Sequence, residues 1–303
     1  MNTALNEDLQ KLFGDKRYHS ISTWLKRTFG EKTIKLAIDG GFTCPNRDGS
    51  KGVGGCIFCS DSGSGEFASD IDDQIRLLSD KWPHARYLGY FQNHTNTYAP
   101  VSELAAKYNE VLKNPKIEGL VIGTRPDCLS EEVLDLLSEI NKTHFLWVEL
   151  GLQTIHDSTA KYIRRGYALP VFDNAVKRLK AANLNVVVHL ILGLPGESRS
   201  DMLESVDYVG KCGADGIKLQ LLHVLRGTDL CSDYEKGHFR TLGMDEYIDI
   251  VGDAINILPE NMVIHRLTGD APKKLLVAPL WSADKKAVLA AIYRAFESKN
   301  VRQ

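Results

Sequence analysis

No stretch of the 303-residue chain approaches the roughly 20 consecutive apolar residues of a membrane-spanning helix, so a bilayer span is not expected. A strong charge of one sign is missing as well. The 37 Lys+Arg against 39 Asp+Glu leave a formal net charge of −2, which argues against a polybasic-tail protein and leaves local patches as the means of binding a polyanion. Cysteine is scarce: the chain has 6, unevenly placed, too few for a disulfide framework. The N-terminus, MNTALNEDLQKLFGDKR, mixes charges and has no apolar central region, so a secretory signal is not expected. These absences indicate a cytosolic protein in a reducing compartment, where clustered cysteines bind metal or do chemistry. Low-complexity segments, Pro/Ser-rich linkers and repeats are also lacking, and no internal domain boundary is visible. What is present, 43% hydrophobic and 25% charged residues, is ample for a globular core.

Short apolar runs alternate with longer amphipathic segments. Strands are expected at 33–39, 86–92, 118–123, 145–151, 185–191 and 216–222, with a weaker seventh at 262–267. Helical patterns lie between them at about 71–82, 101–113, 130–140, 170–182, 200–212 and 244–258. Ser130 before Glu131 and Glu132 reads as an N-cap with an acidic first turn, and Pro170 suits a helix start. Near-continuous apolar strands separated by helices predict parallel strands covered by helices. Six or seven successive units favour a closed or partly closed TIM-type barrel. No GxGxxG follows the first strand, which removes the main signal for a dinucleotide fold.

Chemistry in such barrels sits at the C-terminal ends of the strands. The segments there are GGFTCPNRDGSKGVGGCIFC, NHTNTY, TRPDC, LQT, LGLPGE and HVLRGT, which are polar, Gly-rich and Cys-bearing. Cys44, Cys56 and Cys59 share the first of them as C-x11-C-x2-C. Glycines between them let the loop fold back and bring three thiolates onto one metal centre. Three ligands without an obvious fourth suit a [4Fe–4S] cluster with one open iron. A structural zinc requires a closed four-ligand site, for which His84 or His94 would be the fourth donor. Of the other cysteines, Cys212 reads as a small core residue, whereas Cys128 falls just past the third strand and is a candidate thiol near substrate. Arg125 and Arg226, also at strand ends, are candidates for a substrate phosphate or carboxylate. The densest basic–aromatic stretch is KYIRRGY, with Lys161, Arg164, Arg165 and Tyr167, in which Arg164 and Arg165 are candidate substrate contacts or part of a solvated surface face. Lys273, Lys274, Lys285 and Lys286 form a second basic region.

A partial barrel with a three-cysteine loop after its first strand resembles the radical S-adenosylmethionine (radical SAM) superfamily. The expanded first gap, in place of the usual C-x3-C-x2-C, resembles the elongator-type tRNA-modifying branch. Within that branch GGFTCPNRDG, GGCIFC, TRPDC, ELGLQT, HLILGLPGE, DGIKLQLLHVLRGT and LLVAPLW, spanning about Lys16 to Trp281, resemble the YhcC/YtqA (MnmL-like) group. The resemblance implies a single domain over 1–303 with a partial (β/α)6 barrel core at about 33–225 and a C-terminal extension at about 226–303.

It also implies a [4Fe–4S] cluster on Cys44, Cys56 and Cys59, with S-adenosylmethionine on the open iron, cleaved to methionine and a 5′-deoxyadenosyl radical. Tyr90-Phe91-Gln92 occupies the place of the superfamily's GGE motif without its glycines, and Gln92 is the candidate side chain. Glu149 matches a position that bonds the SAM ribose; its alternative is pairing with a basic side chain across the barrel. Gly193 and Glu197 match the loop bordering the adenosine. Lys218 resembles the KIYP lysine, meeting the SAM carboxylate or pairing with Glu149. The implied substrate is a tRNA wobble uridine, with 5-carboxymethylaminomethyl converted to aminomethyl. A flavodoxin- or ferredoxin-type electron donor and a downstream tRNA methyltransferase are the implied partners. Radical SAM chemistry on a small molecule or a protein, and a non-catalytic zinc-stabilised barrel, stand as alternatives.

Overall fold

The computed structural model describes residues 12–63 and 68–303. The N-terminal segment read for a signal lies, through residue 11, outside the described residues. Among the described residues nine strands follow one another: β1 (Thr33–Ile38), β2 (Arg86–Phe91), β3 (Ile117–Thr124), β4 (Phe145–Gln153), β5 (Asn185–Leu192), β6 (Gly216–Leu221), β7 (Val224–Leu225), β8 (Val263–Arg266) and β9 (Leu276–Ala278). Seven of them form one sheet in the order β1-β2-β3-β4-β5-β6-β8. The registered pairs β1–β2, β2–β3, β3–β4 and β6–β8 are all parallel. Sequential parallel order with the end strands not joined to each other defines a mixed α/β partial barrel rather than a closed one. The weak seventh strand expected at 262–267 is therefore a full member of the sheet.

The strands are apolar on consecutive positions because both of their faces are covered. Leu120, Val121 and Ile122 of β3 and Val186, Val187 and Val188 of β5 are all fully buried. The helices are α1 (Ile21–Phe29), α2 (Ile71–Ser79), α3 (Val101–Leu112), α4 (Glu131–Asn141), α5 (Asp157–Tyr162), α6 (Leu169–Ala181), α7 (Arg199–Lys211), α8 (Asp229–Glu235), α9 (Met244–Ile257) and α10 (Lys285–Ser298). Ser130 caps α4 as expected, its Oγ accepting from Val133 N at 3.3 Å. Ser198 and Asp201 close a reciprocal capping box on α7. Every helix and strand expected from periodicity is present, with ends shifted by a turn at most. Helices α1, α5, α8 and α10 and the antiparallel β7–β9 pair are additions.

Contacts divide the chain into two compact units. The first comprises Leu25–Leu152 and Arg164–Val187. In it Asn96 donates through Nδ2 to Phe91 O, Asn93 O and Gly123 O, pinning the 92–98 segment over the ends of β2 and β3. The second comprises Gln153–Ile163, Val188–Gln303 and the described residues up to Trp24. There α10 buries Val288, Ile292 and Phe296 at four-residue intervals, a stripe worth about 1.5–3 kcal/mol per side chain.

Candidate active site

In the first unit the cysteine segment folds back on itself through its own backbone. Cys44 O accepts from Arg47 N at 2.8 Å, Gly55 N donates to Asn46 O at 2.8 Å, and Cys59 N donates to Cys56 O at 3.0 Å. The Arg47 guanidinium donates to Ser60 O and, at 3.4 Å, to Cys59 O. Thr95 N donates to Thr43 O at 3.2 Å, joining the segment after β2 to the residue before Cys44. The Cys56 thiol is pulled down to about 7, first by its hydrogen bond with Cys59 and further by Asn46 and the Arg125 and Arg47 guanidiniums. Cys59 is pushed up as the partner that keeps its proton. The pair thus supplies one ready thiolate in a site of positive potential.

Whether these donors suit one ion or a cluster follows from their spread. Four thiolates on one zinc stand roughly 3.8 Å apart at 2.3 Å bond lengths. Among the described residues, a set of three donors all within 4.8 Å of one another is formed by His156, Asp201 and Glu204, and the cysteine trio is not such a set. Three thiols carried on one folded-back segment suit a multi-iron core with one iron left open. His84 is no fourth ligand: it lines a cavity of about 340 Å³ with Glu31, Arg86, Lys116 and Glu118, at the opposite ends of β1–β3 from the cysteines. His94, in the left-handed region at φ 57°, packs its ring on Gly63 and donates its backbone N–H to Gly63 O. The segment after β2 also holds Asn93 Oδ1, Thr95 Oγ1 and Asn96 Oδ1, buried and without a hydrogen-bond partner. Buried orphan oxygens clustered beside the cysteine segment fit a bound polar ligand such as the amino-acid end of S-adenosylmethionine. Gln92, half-buried, opens the same segment.

Glu149 on β4 has no exposed surface, and Lys35 Nζ on β1 meets its Oε1 at 3.0 Å. Lys35 also stands 4.9 Å from the Trp147 ring centroid and 5.4 Å from that of Tyr90. Lys35 is thus the basic side chain across the barrel that the alternative reading of Glu149 requires. Arg125 is forked onto Asp127 at 2.9 Å through both Nε and Nη2, and its Nη1 donates to Arg165 O at 2.8 Å. Arg165 is 2% exposed and donates to Leu152 O and Tyr167 O. Both guanidiniums stack on Tyr167. KYIRRGY is therefore not a uniform basic–aromatic face: Arg165 and Tyr167 turn into the protein, while Lys161 and Arg164 are exposed. Cys128 lines a cavity of about 650 Å³ with Tyr98, Asp127, Leu129 and Glu132. Burial, with Asp127 adding, pushes its thiol up to about 12, so Cys128 is a protonated thiol at neutral pH.

The second unit carries the remaining candidates. Gly193 lies at φ 91° with its N–H 3.0 Å from Met202 sulfur, and a Cβ there would lie 3.0 Å from the Leu242 side chain. Glu197 accepts from the Thr154 hydroxyl, which ties LGLPGE to the LQT turn, and burial raises its carboxyl. Lys218 is buried on β6 beside Arg266 of β8. Arg226 is exposed, its N–H donating to Leu275 O at 2.8 Å, which sets it beside the exposed Lys273 and Lys274. No helix of the described residues is long and apolar enough to cross a membrane.

The cysteine segment, the sequential parallel sheet and the polar strand ends define a protein of the radical SAM type. The Radical SAM superfamily model matches residues 46–209 and the Radical_SAM C-terminal domain model matches 214–298. The chain belongs to the radical SAM superfamily, in the group of YtqA and YhcC, and is an enzyme of that class. It is 42% identical to YtqA of Bacillus subtilis over 95% of this chain and 92% of that protein. Identity to YhcC of Escherichia coli is 36%, over 92% of each. A tRNA uridine(34) acetyltransferase of Methanocaldococcus infernus is 29% identical over 66% of this chain and 37% of its own length. Among solved structures, Elp3 of that archaeon superposes with TM-score 0.68 at 21% identity, covering 89% of this chain and 64% of that one. Members of the superfamily bind a [4Fe–4S] cluster and S-adenosylmethionine, and SuiB of Streptococcus suis, similar in fold at TM-score 0.51 and 14% identity, is solved with S-adenosylmethionine bound.

Proposed function

We propose that this enzyme modifies the wobble uridine of tRNA, converting the 5-carboxymethylaminomethyl side chain to the aminomethyl form. The observation that carries this reading is the match over two-thirds of the chain to a protein named for tRNA uridine(34). Cys44, Cys56 and Cys59 hold the cluster. Gln92, Asn93 and Thr95 meet the amino-acid end of S-adenosylmethionine, Glu149 braced by Lys35 its ribose, and Gly193 and Glu197 border its adenosine. Lys218 serves its carboxylate. When bound, the cluster and S-adenosylmethionine supply a 5′-deoxyadenosyl radical able to take a hydrogen atom beside the glycyl-like nitrogen of the substrate. Arg125 is held in place by Asp127, while the exposed Arg164 and Arg226 offer charge to RNA phosphates. Cys128, a neutral thiol, is assigned to the substrate side. A flavodoxin- or ferredoxin-type protein supplies the electron, and a tRNA methyltransferase acts on the product.

Nucleoside analysis of tRNA from a deletion strain tests this. Accumulation of the carboxymethylaminomethyl nucleoside with loss of forms built on the aminomethyl group is expected. Unchanged wobble uridines, with purified protein still releasing 5′-deoxyadenosine, would redirect the chemistry to a small molecule or protein.

A further inference from the structure

We infer that Asn46 is a positioning residue for the iron–sulfur cluster, its side-chain amide donating an N–H···S hydrogen bond to Cys56 and raising the reduction potential of the cluster. The inference rests on Cys56 being a cluster ligand. Asn46 Nδ2 lies 3.5 Å from Cys56 Sγ, 2.7 Å from Arg164 O and 3.2 Å from Arg165 O. Two carbonyl acceptors on that side settle which end of the amide is nitrogen, since an oxygen there would stand against two carbonyl oxygens. Oδ1 on the other side abuts Gly166, where a Cβ would lie 2.5 Å away at φ 82°. The residue is 4% exposed, so it cannot swing out.

The frame around it is fixed independently of any metal. Arg125 donates to the same Arg165 O and is itself forked onto Asp127. Gly55 N, one residue before the ligand, donates to Asn46 O. Reduction adds one electron to the cluster and spreads negative charge onto its thiolates. The positive end of a fixed N–H dipole stabilises that charge more in the reduced state than in the oxidised one. Loss of the donor is expected to lower the reduced-to-oxidised ratio at a given potential roughly tenfold, a shift of about 59 mV for one electron.

Asn46→Leu keeps approximate volume and neutrality while removing the donor. Wild-type and variant proteins are reconstituted anaerobically, assayed for iron and sulfide, and titrated with a graded low-potential reductant under EPR detection. Four irons per chain in both, with the variant midpoint displaced to more negative potential, is the expected result. Four irons with coincident midpoints would overturn the inference while leaving the cluster assignment intact. A wild type that assembles no four-iron cluster defeats the assignment itself, and the inference with it. Should the variant not hold a cluster, pulsed EPR of reduced wild type labelled with 15N in asparagine side chains decides: a coupled 15N supports the bond, and its absence refutes it.

Discussion

Lys35 Nζ reaches Glu149 Oε1 at 3.0 Å although two strands, β2 and β3, stand between theirs. Three strand spacings in a flat sheet amount to roughly 14 Å, a gap that two side chains rising perpendicular to the sheet do not bridge. The contact therefore requires the face carrying both residues to be concave, and it lies on the side where a barrel interior forms.

Replacing Lys35 by Met removes a cation from a carboxylate with no exposed surface. A loss on the order of 3 kcal/mol in folding free energy is expected, read by chemical denaturation. Adding Glu149→Gln to that variant should cost less than the sum of the single changes. Strict additivity would show that the pair is not energetically coupled.

Cys56→Ala should abolish assembly of the four-iron cluster while leaving far-ultraviolet circular dichroism and the sheet intact. The sheet is held by strand cores such as Leu120 to Ile122, far from any need for metal. Retention of four irons per chain would remove Cys56 from the ligand set.

His223, after β6, is held down to about 4, first by burial, with Arg266 adding and Asp270 opposing. Its ring Nε2 lies 3.0 Å from Ser282 Oγ. A histidine with a depressed folded pKa contributes stability that is complete above its unfolded value near 6.5 and is lost as pH falls toward 4. The loss attributable to this group is on the order of 2–3 kcal/mol at the acid end. Denaturation midpoints of wild type and His223→Gln should converge as pH falls through that window. A constant difference across it would assign the pH dependence elsewhere.

If tRNA is the substrate, Arg226→Glu and Lys273→Glu should weaken tRNA binding across sequences and lessen the salt dependence by about one unit of slope per lost contact. Release of 5′-deoxyadenosine without tRNA should be unchanged. Filter binding over a salt series reads both, and unchanged affinity would move the RNA surface away from the β7–β9 tip.

The strands were legible because each is a local run of apolar residues buried on both faces; Val186–Val188 needs no distant partner to be recognised. The polar, Gly-rich character of the cysteine segment was legible because it too is local, written in the residues that follow β1. Helix α10 was present as Val288, Ile292 and Phe296 at helical intervals, but its leading lysines drew attention to charge instead. Lys35 was not legible, because its meaning comes from a carboxylate 114 positions away. Arg165 read as a surface cation for the converse reason: composition records the charge, while the carbonyls that absorb it appear only after folding.

The amide of Asn46 closes on carbonyls 118 and 119 positions downstream. Translation therefore delivers all three cysteines long before the turn at 164–166 that shapes their surroundings has left the ribosome. A chain stalled or truncated ahead of that turn would display all three cysteines yet lack the walls around them. Iron delivered to such a chain would meet thiols open to oxygen and to wrong metals. On the reading that these cysteines hold the cluster, a finished cradle exists only once the second half of the chain has been made.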